Sequence, residues 1–446
     1  MPVEEYRRIA DRVEAAVRDG RLRPGDRLPP QRVFARRHGI ANSTAIRVYG
    51  ELARRGLVVG EVGRGTFVRA APPPSGPALV EATGAAPVDL QLNYPFVDGQ
   101  PELMARALAA LARPGVLTGT LARPAAADGT PEARDAAVSV LARPGWAPDP
   151  GSVLFAGSGR RAVAAALSAL VPPGGRLGVE ELTYPPLKAL AERLGIRLVP
   201  LALDAEGVRP GALAEAHRAA PLAAVYLQPT LHNPLAATAG EERRAALAAL
   251  LRRLDLTAVE DVTWAFLDPS APAPLAAHAA ERVVLVDGLS KRLAPAPTVG
   301  YLVAPGRLRA ALAEALRAGA WTADGFALAA ATRWAGDGTV AETVAAKRAD
   351  AAARHALVLR RLAGHTFRTS PHAYFCWWEL PAPWRAETFT AAAAARAGVS
   401  VTPGSAFATG PGAAPRAVRV GLASPPHAVL DDALARLAAL AASGPR

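Results

Sequence analysis

The lysines are the residues to weigh first. The 446-residue chain holds 51 lysines and arginines together, and only Lys188, Lys291 and Lys347 are lysines. A sequence that meets nearly every need for a cation with arginine keeps a lysine where a guanidinium fails. Imine formation with an aldehyde is one such task, because it needs a primary amine that can shed its proton. Lys291 is the candidate: it follows Ser290 in VDGLSKRLAP, just after an apolar run, where partial desolvation favours a neutral amine. Three other residues have matching chemistry. Asp261 closes the apolar run TAVED, where a carboxylate can keep a pyridine nitrogen protonated. Asn233, in PTLHNP, can hydrogen-bond a phenolate oxygen, and Tyr184, in ELTYPP, can stack on a flat ring. Amine, carboxylate, amide and ring in this order describe a site for pyridoxal 5'-phosphate (PLP), whose pyridinium acts as an electron sink. Lys188 and Lys347 read as solvated helix positions, and His232 reads as a loop residue. No metal-ligating constellation accompanies them.

The elements that must carry these residues follow from the pattern around them. From about Val88 onward, apolar runs at 151–156, 176–179, 223–227, 258–261 and 283–286 alternate with Ala/Leu-rich helical stretches. That rhythm predicts an open, largely parallel α/β sheet, followed by a smaller α+β subdomain. The N-terminal part differs. Tyr6, Ile9, Val13, Ala16 and Val17 share one face of a helix over 3–19, and a second helix spans 31–37. Asn42, Ser43 and Thr44 offer an N-cap cluster for a third helix that Gly56 stops. LVVGEVGRGTFV then reads as two short strands around a glycine-rich turn. Three helices and a hairpin make a winged helix-turn-helix. The Pro-rich stretch over 71–88 reads as a semi-rigid linker.

Charge separates the same parts. The formal net charge is +12, and residues 1–70 hold fifteen arginines against eight acidic residues. A basic head on a weakly charged body suits a polyanionic partner. Asn42, Ser43, Thr44 and Arg47 stand in the first turns of the third helix, placed for phosphates and base edges. Arg32 begins the preceding helix and can clamp a phosphate; Arg64 sits between Gly63 and Gly65 at the wing tip. The charged N-terminus lacks an apolar signal core, and no run of eighteen apolar residues occurs, so the expectation is a cytosolic protein without membrane partners. The single cysteine, Cys376, excludes an internal disulfide.

From Tyr6 to Val68 the landmarks GRLRPGDRLPPQR, NSTAIRVYGELARRGLV and GRGTFV resemble the GntR regulators. In the body, LNYP, TYPPLKAL, QPTLHNP, VED, LSKRLAP, VGYLVAP and VRVGLASPP resemble fold type I aminotransferases, specifically the MocR branch of GntR regulators. The resemblance implies an α/β chain with a winged helix-turn-helix head over 1–70, the 71–88 linker and an aminotransferase-like body over 89–446. It implies that Arg32, Asn42, Ser43, Thr44, Arg47 and Arg64 face double-stranded operator DNA. It also implies an internal aldimine at Lys291, Asp261 on the pyridinium nitrogen, Asn233 on the ring oxygen and Tyr184 stacked on the ring. Ser158, Gly159 and Arg160, in GSGRR, with Ser290, Trp264 and the backbone of the following helix, would complete the cofactor site. Arg419 would grip an effector's carboxylate. A head-to-tail homodimer is implied as well.

The departures carry information. Thr298 stands where such proteins place an arginine on the cofactor's phosphate, and Arg160 stands where they carry glutamine. Arg160 is therefore expected to replace the missing clamp, with Arg292 as a second candidate. Trp264 replaces a tyrosine, and an indole N–H donates but cannot accept. Gly288 replaces a serine, and a partner-subunit tyrosine expected near 121–125 is missing. The expectation is a PLP-dependent regulator that senses an amino compound, with weak or absent transaminase activity. Two alternatives stay open: an aminotransferase with a DNA-binding appendage, and a cofactor-free dimeric regulator.

Overall fold

The computed structural model describes residues 2–19, 21–22, 25–54, 57–61, 65–68, 86–121, 125–410 and 414–444. The head is built from helices Pro2–Arg18, Gln31–His38 and Asn42–Arg54 and an antiparallel pair of strands, Val58–Glu61 and Gly65–Val68. Ile9, Val13, Leu28, Phe34, Val48, Tyr49 and Leu52 form its core. Gly39, in the left-handed region at φ 65, closes the second helix, a conformation that glycine adopts without Cβ strain. The third helix begins one residue earlier than a cap at Asn42 requires. The Ala41 carbonyl accepts from the N–H groups of Thr44 (3.0 Å) and Ala45 (3.1 Å), so Asn42, Ser43 and Thr44 lie inside the first turn. The expected wing-tip residue Arg64, the linker over 71–85 and most of the 121–125 stretch fall outside the described residues. Beside the wing, the guanidinium of Arg385 lies 3.5 Å from the centre of the Phe67 ring.

The body's main sheet has seven strands in the order Val153–Ala156, Gly300–Val303, Val283–Gly288, Thr257–Asp261, Ala224–Leu227, Arg176–Glu180, Arg197–Leu201. All run parallel except Gly300–Val303, which is antiparallel to both neighbours. Its central strands are buried along their whole length, as unbroken apolar runs require when helices cover both faces. Alternation sorts them: Val283 and Leu285 enter one core while Val284 and Val286 enter the other. A smaller antiparallel sheet, Thr366–Arg368, Phe375–Glu379, Ala417–Gly421, Thr402–Pro403, packs with helix His427–Ser443 around a third core. Helix Thr339–Arg361 ties the two parts together, with Val340 and Val344 in the large core and Val358 in the small one.

One short segment crosses between the parts. Val88–Asp89 pairs in parallel with Val399–Ser400, and Leu90 receives a hydrogen bond from Gly421 N–H. A Cβ at Gly421 would stand 2.7 Å from the Leu92 carbonyl oxygen, so only glycine lets this strap lie down. It ends at Asn93 and Tyr94, beside Lys291. Among the described residues, no helix is long and apolar enough to cross a membrane.

Candidate cofactor site and DNA-reading face

The sheet topology gathers the body's candidates at the carboxyl ends of its strands, the edge where open α/β sheets bind ligands. Asp261 ends its strand opposite Val286, so it sits beside the turn that carries Lys291. Lys291 belongs to a four-residue helix, Leu289–Arg292, with Ser290 partly buried next to it. Its ammonium donates to the Asn93 carbonyl at 2.8 Å, 3.3 Å from the Tyr94 ring centre and 5.3 Å from that of Trp264. Sequence reasoning had singled out Trp264 but not Asn93 or Tyr94, which arrive from 198 and 197 residues away in the chain (Lys291 minus 93 and 94).

Asp261 is buried and held from three sides. Its Oδ1 accepts from Thr263 N–H (2.9 Å); its Oδ2 accepts from the Tyr226 hydroxyl (2.6 Å) and Gln228 Nε2 (3.2 Å). Burial, then the Asp261 carboxylate, pushes the Tyr226 hydroxyl far above its ordinary range, so it stays a donor. Tyr226 and Gln228 were missed in sequence; the signal was their alternate position on the run that leads to PTLHNP. Among the described residues no cation pairs with Asp261. A buried carboxylate of that kind suits a cationic ring nitrogen.

Among the described residues, both amide atoms of Asn93, Asn233 Oδ1, Gln228 Oε1 and Thr298 Oγ1 are buried with no hydrogen-bond partner. Each such atom costs about 1–3 kcal/mol unless a ligand or water meets it. Of these, Asn93 Nδ2 and Thr298 Oγ1 can donate to the oxygens of a pyridoxal group, whereas the amide oxygens of Asn93, Asn233 and Gln228 need donors.

The stretch expected to hold the phosphate forms a turn from strand Val153–Ala156 into a helix. Ser158 caps helix Gly159–Leu170, its Oγ accepting from Arg161 N–H at 3.2 Å. Glycines make room for it: a Cβ at Gly300 would stand 2.2 Å from the Ser158 carbonyl oxygen, and one at Gly288 3.0 Å from Gly159 N. A helix N-terminus of this kind can serve an anion. Arg160 reaches the Tyr184 hydroxyl at 3.3 Å, so the substituted cation and the candidate stacking ring lie together. Arg292, the second candidate clamp, is already engaged. It forms an ion pair with fully buried Asp287 and lies over Phe266, 5.1 Å from the ring centre.

Arg419 occupies the small sheet, opposite Trp377, and donates to the Gln91 carbonyl and to Thr402 Oγ1 (3.4 Å). Its guanidinium lies 5.4 Å from the Phe407 ring centre. Lys188 is not solvated. It donates to the carbonyls of Ala406 and Ala408, both at 2.8 Å, and so fixes the turn that seats Phe407. Lys347 is not solvated either: it is fully buried and bonds the carbonyls of Lys291 (3.0 Å) and Leu293 (2.7 Å). Helical periodicity misled for both, because a compact ammonium with three donors can serve crowded backbone carbonyls from inside a core. His232 is a loop residue, but a buried one, 2.9 Å from the Leu182 carbonyl and 3.5 Å from Glu180.

On the head, Arg32, Asn42, Ser43 and Arg47 are exposed and Thr44 is half-buried, while Ala45, Val48 and Tyr49 face the core. Ile46 joins the exposed face at 51% accessibility, between Ser43 and Arg47. An apolar side chain on that face suits a thymine methyl group. Sequence reasoning passed over it, though its position one turn from Asn42 was visible.

Residues 5–68 match the model of the bacterial regulatory proteins, gntR family, and residues 88–437 that of aminotransferase class I and II. The transcriptional regulator TauR of Rhodobacter capsulatus is 30% identical over 343 residues, 70% of this chain and 69% of the relative. The chain belongs to the MocR-type GntR regulators. An uncharacterized HTH-type regulator of Bacillus subtilis, YdeF, matches this MocR-type chain across both parts, 28% identical over 421 residues, 94% of this chain and 90% of that one. Among solved structures, the α-aminoadipate aminotransferase LysN of Thermus thermophilus, complexed with N-(5'-phosphopyridoxyl)-L-leucine, aligns with a TM-score of 0.70. It is 20% identical and spans 80% of this chain and 92% of LysN, a likeness of fold.

Proposed function

We propose that this MocR-type chain is a PLP-dependent transcription regulator that binds operator DNA and senses an amino compound through Lys291. In this reading residues 1–70 read DNA, 71–88 link, and 89–446 form the effector and dimerisation body, acting in the cytosol as a head-to-tail homodimer. The observation that carries it is the strap. Gln91 and Asn93 accept hydrogen bonds from Arg419 and Lys291 respectively, and the same strap runs in sequence towards the head.

Lys291 would hold the cofactor covalently, Asp261 its ring nitrogen and Asn233 its ring oxygen. Tyr184 and Trp264 would flank the ring, and Ser158, Gly159 and Arg160 would take the phosphate beside Ser290. When bound, PLP supplies an aldehyde that captures amines and a pyridinium that withdraws electrons. Arg419 offers a fork of donors to a carboxylate, an arrangement that a guanidinium fits bidentately. An amino acid would engage Arg419 with its carboxylate, drawing that guanidinium from the Gln91 carbonyl, and would compete with the Lys291 amine for the cofactor's aldehyde, so the hydrogen bonds of both residues to the strap would change. It then biases the strap by its differential affinity for the two arrangements, the only means by which a ligand shifts such a balance. Two joined heads on two half-sites gain from effective concentration, so half-site spacing matters. With Thr298 uncharged and Trp264 unable to accept a hydrogen bond, the site is built for capture rather than turnover.

The test uses the full chain, PLP and duplex DNA from its own upstream region, read by fluorescence anisotropy across a panel of amino acids. The wild type should change its operator affinity with at least one amino compound. Lys291→Ala should lose that response, and Arg419→Ala should blunt it while binding DNA as before. Sustained keto-acid production with 2-oxoglutarate, and operator affinity indifferent to every amino compound, would instead support the aminotransferase reading.

A further inference from the structure

We propose that Lys347 is the positioning residue for Lys291, an inference that rests on the reading of Lys291 as the PLP anchor. From inside the body it grips the backbone of the turn that presents Lys291. Helix Leu289–Arg292 is a single turn and cannot satisfy the carbonyls at its own C-terminal end. Lys347 supplies the missing donors, at 3.0 Å to the Lys291 carbonyl and 2.7 Å to that of Leu293. Gln100 Nε2 adds a second bond to Leu293, at 2.9 Å. Lys347 also comes from helix Thr339–Arg361, which spans both cores, so the Lys291 turn is bolted to the body's longest rigid element.

A comparison on the same helix explains the residue type. Arg354, two turns further on, also caps two carbonyls, those of Leu422 (2.6 Å) and Pro425 (2.7 Å). Asp350 pairs with it at 2.7 Å. Lys347 has no bonded carboxylate among the described residues. Asp350, one turn along, spends its oxygens on Arg354, the Tyr374 hydroxyl (2.8 Å) and His427 (2.8 Å). The charged or titratable groups facing Lys347 are thus Lys291 from the short helix, Asp350 from its own helix, and Tyr374, whose hydroxyl bonds the Lys347 carbonyl at 2.8 Å. Burial, then the Lys291 ammonium, pushes Lys347 down to about 7, with Asp350 opposing. A lysine keeps at least two N–H donors whether charged or neutral; an arginine in that place cannot discharge. That distinction accounts for a lysine in a chain that otherwise prefers arginine.

The experiment compares full-length wild type, Lys347→Met and Lys347→Gln. Each is titrated with PLP and followed by visible absorption across pH, with thermal melting alongside. The wild type should develop the visible band. Lys347→Met, which loses both bonds, should take up PLP about tenfold more weakly. Lys347→Gln keeps N–H donors and should recover most of that affinity. In both variants the pH midpoint of the band should move up by about one unit, because a nearby cation is gone; a purely structural role would not move it. If Lys347→Met fails to melt cooperatively, the midpoint in Lys347→Gln decides. A wild-type band with unchanged affinity and midpoint in the variants overturns the role of Lys347 and leaves Lys291 as the anchor. No band in the wild type overturns the anchor itself.

Discussion

The candidate recognition surfaces of the head and the body are built in opposite ways. The head sets out a single helix whose outward residues, Asn42, Ser43, Ile46 and Arg47, are neighbours in sequence and open to solvent. The body collects Asn93, Tyr184, Tyr226, Asn233, Asp261 and Lys291 from five separate segments, most of them buried, with Tyr226 bonded to Asp261 and Lys291 to Asn93. A surface of independent side chains should respond to substitution nearly additively. A buried site whose members share partners should respond cooperatively, because removing one leaves another unsatisfied.

The largest expected effect tests the body's half of that contrast. Asp261→Asn keeps the shape but loses the buried charge, and PLP retention measured by dialysis and absorbance should fall about a hundredfold or more. Combined with Tyr226→Phe, the two losses should be far from additive; simple addition would show that the two residues do not act as a unit. Next comes Arg47→Ala, which should weaken cognate operator binding by about 1–3 kcal/mol in anisotropy and leave PLP uptake unchanged. Cognate binding equal to wild type would mean that another face of the head reads the DNA. Ile46→Ala should cost less, with its loss confined to one A·T position in an operator mutation series and additive with Arg47→Ala. The smallest effect is a pH slope. Unfolded lysine keeps its proton up to about 10.5, whereas buried Lys347 loses it near 7, so the unfolded state binds more protons between those limits. Wild-type stability should therefore gain on Lys347→Met as pH rises through that window, seen as a growing difference of a few degrees in Tm. A flat difference would place Lys347 in solvent contact.

The same contrast decides what was legible in the sequence. The winged head and the parallel sheet show in periodicity, because helix faces and buried strands repeat within a few residues. Lys291, Asp261 and Asn233 are readable since each closes an apolar run, and the ends of such runs meet at one edge. Asn93, Tyr94, Tyr226 and Gln228 are not readable in the same way. Their place depends on which strands become neighbours, and on a strap laid across the small sheet at Gly421. Arg292 illustrates the converse: beside Lys291 in sequence, it is turned away by Asp287. The scarcity of lysine singles out Lys291 by the same argument that applies to the other two. Lys188 and Lys347 obey the same logic, each bonding backbone carbonyls that an exposed cation would never reach.

The central claim is chemical, that the Lys291 side chain is where this protein holds its cofactor. The direct measurement is borohydride reduction of the PLP-loaded full-length protein, then proteolysis and mass spectrometry of the peptides. The account predicts one pyridoxyl group, on Lys291, that disappears in Lys291→Ala. An unlabelled Lys291, or label on Lys188 or Lys347 instead, would contradict it.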